Sequence, residues 1–351
     1  MAPIRVFITG VTGYIGSTTL DLLLKKETNI SKYSFRALVR SPEKAERDIR
    51  PLSIVPVIGS LDDLDLLTQE AANTDVFLHF ADADHHPAIK AILKGLLHRP
   101  RPDGGRKRPI LIHTTGTGVL LDDAEGGFAS KAVYYDNDVA QLNTLAPTQY
   151  HRDVDLEIIS PELVGKIDTY IVAPPTIWGT GTGTGNHNSI QIPHHVEYSL
   201  KHGQDLQIGK GLNIWSKVHI VDLAHFYITL LELALQERDV GDRSSSANSK
   251  PLPKNEDAYY FVDDGEFTYG EVAQEIAKVF KELRINDSGE VRSTSPEELT
   301  VYWAKGSDVT LGGNSRSRAV KAREILGWKP THTRFKEYIA DEVHRQIKNK
   351  T

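Results

Sequence analysis

The chain has no cysteine and one methionine in 351 residues. A disulfide framework, a thiolate metal site and a cysteine nucleophile are therefore excluded. No apolar run approaches the length of a membrane span. The first strand pattern begins by Ile4, which leaves no room for a signal or transit peptide, so a cytoplasmic location is expected. A surplus of basic residues is also missing. Lys and Arg number 41 against 47 Asp and Glu, a net charge of −6, which argues against a nucleic-acid surface. No internal repeat is visible. The remaining composition, 39% hydrophobic and 25% charged, is that of a globular protein able to bury a sizeable core. Its length suits one domain with a smaller one appended.

The first half alternates short apolar runs with helical patterns. Strands are expected at Ile4–Thr9, Ser34–Arg40, Ile54–Ile58, Asp75–Phe80 and Ile110–Thr115, with helices at Ser17–Lys26, Leu61–Ala72 and Pro87–His98. This alternation predicts an α/β fold with a doubly wound parallel sheet, whose ligands bind beyond the carboxyl ends of the strands. The first strand runs directly into Thr9-Gly10-Val11-Thr12-Gly13-Tyr14-Ile15-Gly16. Glycines there let the backbone turn and approach a ligand closely, and the following helix start offers free N–H groups to a pyrophosphate. Cofactor contacts are expected from Thr9, Gly10, Thr12, Gly13, Tyr14, Ile15 and Gly16.

The other strand ends are read in the same way. Arg40 and Ser41 follow the second strand, where an acidic residue would bond the ribose 2′-hydroxyl of NAD; an arginine pairs instead with a 2′-phosphate. NADP is the expected cofactor, with NAD the alternative. Ala81 opens Ala81-Asp82-Ala83-Asp84-His85-His86 after the fourth strand. The density of carboxylates and imidazoles suggests a metal, but the spacing is that of a loop beside the adenosine, and no metal is expected. Arg99 to Pro109 reads as a solvated basic loop. Thr114 and Thr115 end the fifth strand, where a hydroxyl would face the reactive end of the cofactor. A glycine- and threonine-rich loop, Gly179 to Gly185, is either a cover over a ligand or disorder. Helices are expected at about Pro193 to His202 and Leu223 to Leu235. A polar excursion is expected over Asp239 to Asp257, with a strand over Tyr259–Val262 after it. Further helices are expected from the Thr268-x-x-Glu271 capping box, from Pro296 through Lys305, and from about Phe335.

Four segments, in order, resemble extended short-chain dehydrogenases/reductases. Thr9 to Gly16 matches TGxxGxxG. Pro174-Pro175-Thr176-Ile177-Trp178-Gly179 resembles the RPPxxYG turn, Val218 to Ala224 the VHVDDLA segment, and Leu326-Gly327-Trp328-x-Pro330 the LGWxP segment. The resemblance implies a Rossmann domain over 1–175 and a substrate domain over 176–351, with a segment near 213–236 returning to the first. It adds Pro174, Thr176 and Ile177 to the cofactor contacts. A small-molecule substrate is implied, with no membrane or nucleic-acid partner, and dimerisation through helices beside the active-site helix.

The chain departs from that family at the YxxxK signature, whose tyrosine moves the proton and whose lysine lowers the tyrosine pKa. Tyr134 is followed at that spacing by Asp138, Tyr135 by Val139 and Tyr150 by Val154. The candidate acids are Tyr134, Tyr135, Tyr150 and His151, alongside Thr115; histidine titrates in the useful range. The expected activity is an atypical NADP(H)-dependent oxidoreductase acting on a carbonyl. The alternatives are a non-catalytic, NmrA-like NADP-binding regulator and an epimerase or lyase on the same fold.

Overall fold

The computed structural model describes residues 2–26, 30–100, 107–240, 251–295, 298 and 311–349. The helix expected from Pro296, part of the polar excursion, and Arg101 and Arg106 of the basic loop lie outside the described residues. Among those described, no helix is long and apolar enough to cross a membrane.

The strand patterns of the first half form β1 (Ile4–Thr9), β2 (Tyr33–Val39), β3 (Val55–Ile58), β4 (Val76–His79) and β5 (Ile110–Thr114). A two-residue strand, β6 (Tyr134–Tyr135), precedes β7 (Asp168–Ala173) and β8 (Thr176–Trp178). The helices among them are α1 (Tyr14–Lys26), the single turn α2 (Pro42–Lys44), α3 (Leu64–Ala72), α4 (His86–Leu97), the short α5 (Val139–Leu142) and α6 (Arg152–Ile158). α7 (Gln191–His202), β9 (Leu206–Ile208), β10 (Ile214–His219), α8 (Ile220–Val240) and β11 (Tyr259–Phe261) come next. The chain continues through β12 (Glu266–Thr268), α9 (Tyr269–Glu282), β13 (Arg292–Thr294), β14 (Ser317–Arg318), α10 (Val320–Glu324) and α11 (Phe335–Lys348).

Seven strands form one parallel sheet in the order β3-β2-β1-β4-β5-β7-β11. Its strands read as continuous apolar runs because both faces are covered. Val6, Phe7 and Ile8 on β1, Phe77 on β4 and Ile110 to Ile112 on β5 are all buried. This is a Rossmann-type doubly wound sheet. The strand order reverses between β1 and β4, where such sheets open a crevice for a ligand.

The outermost strand, β11, pairs in parallel with β7 (Tyr259 beside Ile171). β11 thus joins the first sheet after β8 to β10 have been laid down in other sheets. A second hydrophobic cluster, including Trp178, Trp215, Tyr269, Phe280 and Phe335, forms the smaller α/β unit around α7, α9 and α11. The capping box that opens α9 is complete: Thr268 Oγ1 accepts from Glu271 N at 3.1 Å, and Glu271 Oε2 from Thr268 N at 2.8 Å. The buried Asp136 carboxylate accepts the N–H groups of Phe261, Val320 and Lys321 and so ties β11 to α10, and β6 pairs in parallel with β14.

Candidate functional site

The glycine turn lies at the strand-order reversal, between the ends of β1 and β4. Gly10 has φ +72°, and a Cβ there would fall 2.5 Å from the Phe80 carbonyl carbon and oxygen. On Gly16 a Cβ would meet the Gly10 oxygen at 2.4 Å. The turn closes by Gly13 N donating to Gly10 O at 2.9 Å, and Ser17 N to Gly13 O at 2.9 Å begins the helical ladder. The cradle therefore depends on absent side chains, and the first N–H groups of α1 are delivered to its mouth. Thr9 is fully buried, and its hydroxyl has no partner among the described residues. Such a turn fits a dinucleotide pyrophosphate.

The glycine- and threonine-rich loop is an ordered strap laid across the start of α1. Tyr14 Oη donates to Gly179 O at 2.7 Å, Ser17 Oγ to Thr182 O at 3.0 Å, and Gly185 N to Ser17 Oγ at 2.9 Å. Thr182 N donates to Thr18 Oγ1 at 3.1 Å and Asn186 N to the Thr12 carbonyl at 2.9 Å. Glycine recurs at every second position of the strap because those positions face the helix. A Cβ on Gly181, Gly183 or Gly185 would come within 2.9, 2.7 or 2.5 Å of α1 or the glycine turn. Beyond the strap, Thr184 Oγ1 donates to Asp48 O at 2.9 Å.

His151 stands at the other end of the crevice. It precedes α6 with a left-handed backbone, φ +67°, which aims its ring back toward the end of β5. Nδ1 lies 2.6 Å from Asp84 Oδ1. Nε2 lies over two glycines: a Cβ built on Gly116 or Gly118 would be 3.2 Å from it. Desolvation pulls the imidazole down, but the Asp84 hydrogen bond and the charges of Asp84, Asp155 and Asp82 outweigh it, so His151 titrates above its ordinary value. The Asp84 carboxyl is held low by the same contact.

Beneath His151 lies a buried polar chain. Asp155, one turn further along α6, is fully buried; its Oδ2 accepts from Thr115 Oγ1 at 3.2 Å and from Tyr259 Oη at 2.7 Å. Tyr259 Oη in turn accepts from the buried Arg152 Nη1 at 2.8 Å. Burial pushes the Asp155 carboxyl up to about 6, against the pull of Tyr259, His151, Thr115 and Arg152. Asp155 Oδ1 lies 3.9 Å from His113 Nε2, and the His113 ring stacks on His79 at 5.0 Å. Burial keeps both imidazoles neutral, with His79 down to about 4.

The remaining sequence candidates fall into two groups. Arg40 is exposed at the end of β2, and Ser41 caps α2 by accepting from Lys44 N at 3.2 Å. Ala81 lies two residues past the end of β4, and its N would be 2.7 Å from a Cβ on Gly10. Pro174 O accepts from Thr117 N at 3.0 Å, and Thr176 and Ile177 lie in β8 beside β10. Tyr150 sits beside His151, with ring centroids 6.3 Å apart. Thr115 is buried and gives its one proton to Asp155, which leaves its oxygen as an acceptor, and Thr114 shares a 2.7 Å hydrogen bond with the Tyr227 hydroxyl. Tyr134 and Tyr135 form β6 in the ladder with β14, and no hydrogen bond or ring contact among the described residues joins them to His151. Asp84 and Asp155, which sequence reasoning passed over, are the groups that surround His151.

Beside Asp84, the two histidines of the acidic and imidazole loop are engaged by other parts of the chain or by its own backbone. His85 Nδ1 accepts from Ala88 N to cap α4, and His86 Nε2 lies 3.1 Å from Glu157. Among the described residues, one other group, His219, Asp222 and His332, brings potential ligand atoms together, beside a cavity of about 540 Å³. Its two rings stack face to face at 3.8 Å and 8°. Asp222 fastens the turn at Thr331 and His332.

No protein-family model matches the chain. It is 31% identical to oxidase ucsJ of an Acremonium species, over 93% of this chain and 92% of the relative. It is 33% identical to a ketoreductase of Stigmatella aurantiaca that acts on 4-hydroxy-2-methyl-3-oxo-4-farnesyl-3,4-dihydroquinoline-1-oxide, over 34% of this chain and 35% of that one. Among solved structures it resembles the dTDP-glucose 4,6-dehydratase DesIV of Streptomyces venezuelae with NAD and TYD bound. There the TM-score is 0.64 at 19% identity, covering 99% of this chain and 98% of that one.

Proposed function

We propose that this chain, which belongs to the family of the Acremonium oxidase ucsJ, is an NADP(H)-dependent oxidoreductase of the extended short-chain dehydrogenase/reductase type that reduces a carbonyl group on a small molecule. The observation that carries this reading is the His151–Asp84 pair, with Nε2 facing the glycine floor at the end of β5. The glycine cradle fits the pyrophosphate. Arg40, exposed at the end of β2, offers a bidentate donor for a 2′-phosphate.

A nicotinamide cofactor supplies the hydride. His151 takes the role that the family gives to its Tyr–Lys pair. Its Nδ1–H is held by Asp84, so the imidazolium presents Nε2–H to the substrate oxygen. As negative charge builds on that oxygen, the proton passes from Nε2 and leaves a neutral imidazole and an alcohol. Asp84 holds the Nδ1 proton throughout, so the ring is reloaded at Nε2 once the product has left. The Acremonium oxidase and the Stigmatella ketoreductase carry names that fit redox chemistry at oxygen-bearing carbon.

The test is turnover. Purified protein is titrated with NADPH by fluorescence and then offered a panel of aldehydes, ketones and imines. NADPH oxidation that falls sharply in His151→Gln supports the reading. Tight NADPH binding with no oxidation across the panel overturns it in favour of a dinucleotide-binding regulator.

A further inference from the structure

We propose that Asp155 is the positioning residue of this site: its buried carboxylate fixes the Thr115 hydroxyl as a hydrogen-bond acceptor and supports the charge of His151 from beneath. The inference rests on His151 as the proton donor, and it adds a division of labour between two groups.

The direction of each hydrogen bond follows from what each group can donate. An arginine has only donors, so Tyr259 Oη must accept from Arg152 Nη1 at 2.8 Å. The Tyr259 proton is thereby directed at Asp155 Oδ2, 2.7 Å away. Thr115 Oγ1 donates to the same oxygen at 3.2 Å. With its one proton committed, Thr115 can only accept from anything above it. His151 Nε2–H is thus the donor of the site and Thr115 Oγ1 its acceptor. A carbonyl oxygen suits the first. A hydroxyl or N–H next to that carbonyl, or the product alcohol itself, suits the second. The substrate class this favours is a carbonyl compound bearing an adjacent hydroxyl or N–H.

Asp155 is also placed to act on His151. It lies one helical turn away on α6, and its N–H donates to the His151 carbonyl at 3.0 Å. The charged and titratable groups around His151 are Asp82 and Asp84 from the loop after β4, His113 from β5, and Arg152 and Asp155 from α6. His113 is buried and neutral. Arg152 stays charged, because Tyr259 is a neutral partner, and its charge is set against Asp155, whose carboxyl it pulls down. The three carboxylates Asp82, Asp84 and Asp155 outnumber that one cation and favour the imidazolium. A carboxylate this deeply buried is costly unless its surroundings are arranged for it. Here Arg152, Tyr259 and Thr115 are so arranged.

The test reads His151 directly. Its imidazole resonances, assigned by their loss in His151→Gln, are followed through a pH titration of the full chain without substrate. In Asp155→Asn the His151 midpoint should fall by about half a pH unit or more. The milder Tyr259→Phe, which removes one donor from Asp155 and makes it easier to protonate, should move it the same way if Asp155→Asn does not fold. In Thr115→Val, NADPH affinity should stay within about twofold of the parent while kcat falls about tenfold or more, and Thr115→Ser should restore it. An unmoved His151 midpoint in both Asp155→Asn and Tyr259→Phe overturns the proposal, as does a Thr115→Val enzyme with parental kcat. A shifted midpoint in a protein that turns over no carbonyl supports the Asp155–His151 coupling and overturns only the reductase reading.

Discussion

Asn186 donates its backbone N–H to the carbonyl of Thr12 at 2.9 Å, so the second half of the chain closes on the glycine turn of the first. Gly185, next to Asn186, lies so close that a Cβ would fall 2.5 Å from the Thr12 oxygen and 2.7 Å from Ser17 Cβ. Gly185→Ala should lift the strap and loosen the turn. NADPH affinity, measured by fluorescence titration, is expected to weaken about tenfold, the equivalent of roughly 1.4 kcal/mol. Parental affinity would mean that the strap does not restrain the turn.

His151→Gln is expected to lower kcat by about 10²- to 10⁴-fold with little change in NADPH affinity. Asp84→Asn tests the same pair through pH. Asp84 helps to raise His151 above its ordinary value, and reduction needs the protonated ring. Parental activity should fall as pH rises through the His151 midpoint, and that limb should move to lower pH in Asp84→Asn. A pH profile identical to the parent's would remove Asp84 from the pair.

Arg40→Ala should cost NADPH about 10- to 100-fold in affinity, the range of one charge-assisted contact, while leaving NADH nearly unchanged. The ratio of the two dissociation constants is the measurement. Equal losses for both dinucleotides would count against a 2′-phosphate role.

Asp263 is buried beneath β14, and its carboxyl accepts from Ser317 Oγ at 3.2 Å. Burial raises it to about 7, against the pull of Arg323 and Arg318. A carboxyl raised in the folded state contributes stability that is fully present below its unfolded pKa and is lost as pH rises through about 7. Asp263→Asn should therefore gain about 2–4 kcal/mol relative to the parent at pH ~8–9, and little or none near pH ~4. Urea unfolding at the two pH values measures the difference. A gain of equal size at both would show that ionisation is not its source.

What the sequence disclosed follows from how local each cause is. β1 lies where its apolar run put it, from Ile4 to Thr9, because a strand buried on both faces needs no partner to be recognised. α1 begins at Tyr14 rather than Ser17, since the last part of the glycine turn is already the first turn of the helix. The run at Tyr259 reads as a strand, but its place beside β7 depends on a pairing with no local signature. The glycine cradle was legible for the same reason as β1. The His151–Asp84 pair was not. It depends on a left-handed backbone at His151, which a non-glycine residue does not announce, and on a loop from a different strand. Asp155 does stand one helical turn from His151 in the sequence, but its importance lies in Thr115 and Tyr259, which arrive from β5 and β11.

β11 makes the polypeptide order and the architecture disagree. The strand that finishes the first sheet, and carries the phenol that reaches Asp155, is supplied by residues 259–261, after the chain has already contributed β8 to β10 elsewhere. A fragment ending at residue 175 would expose the edge of β7 and leave Arg152 and Asp155 without the hydroxyl between them. A gene split at that point should yield two insoluble halves that recover function only when produced together, whereas a circular permutant that keeps both halves on one chain should fold.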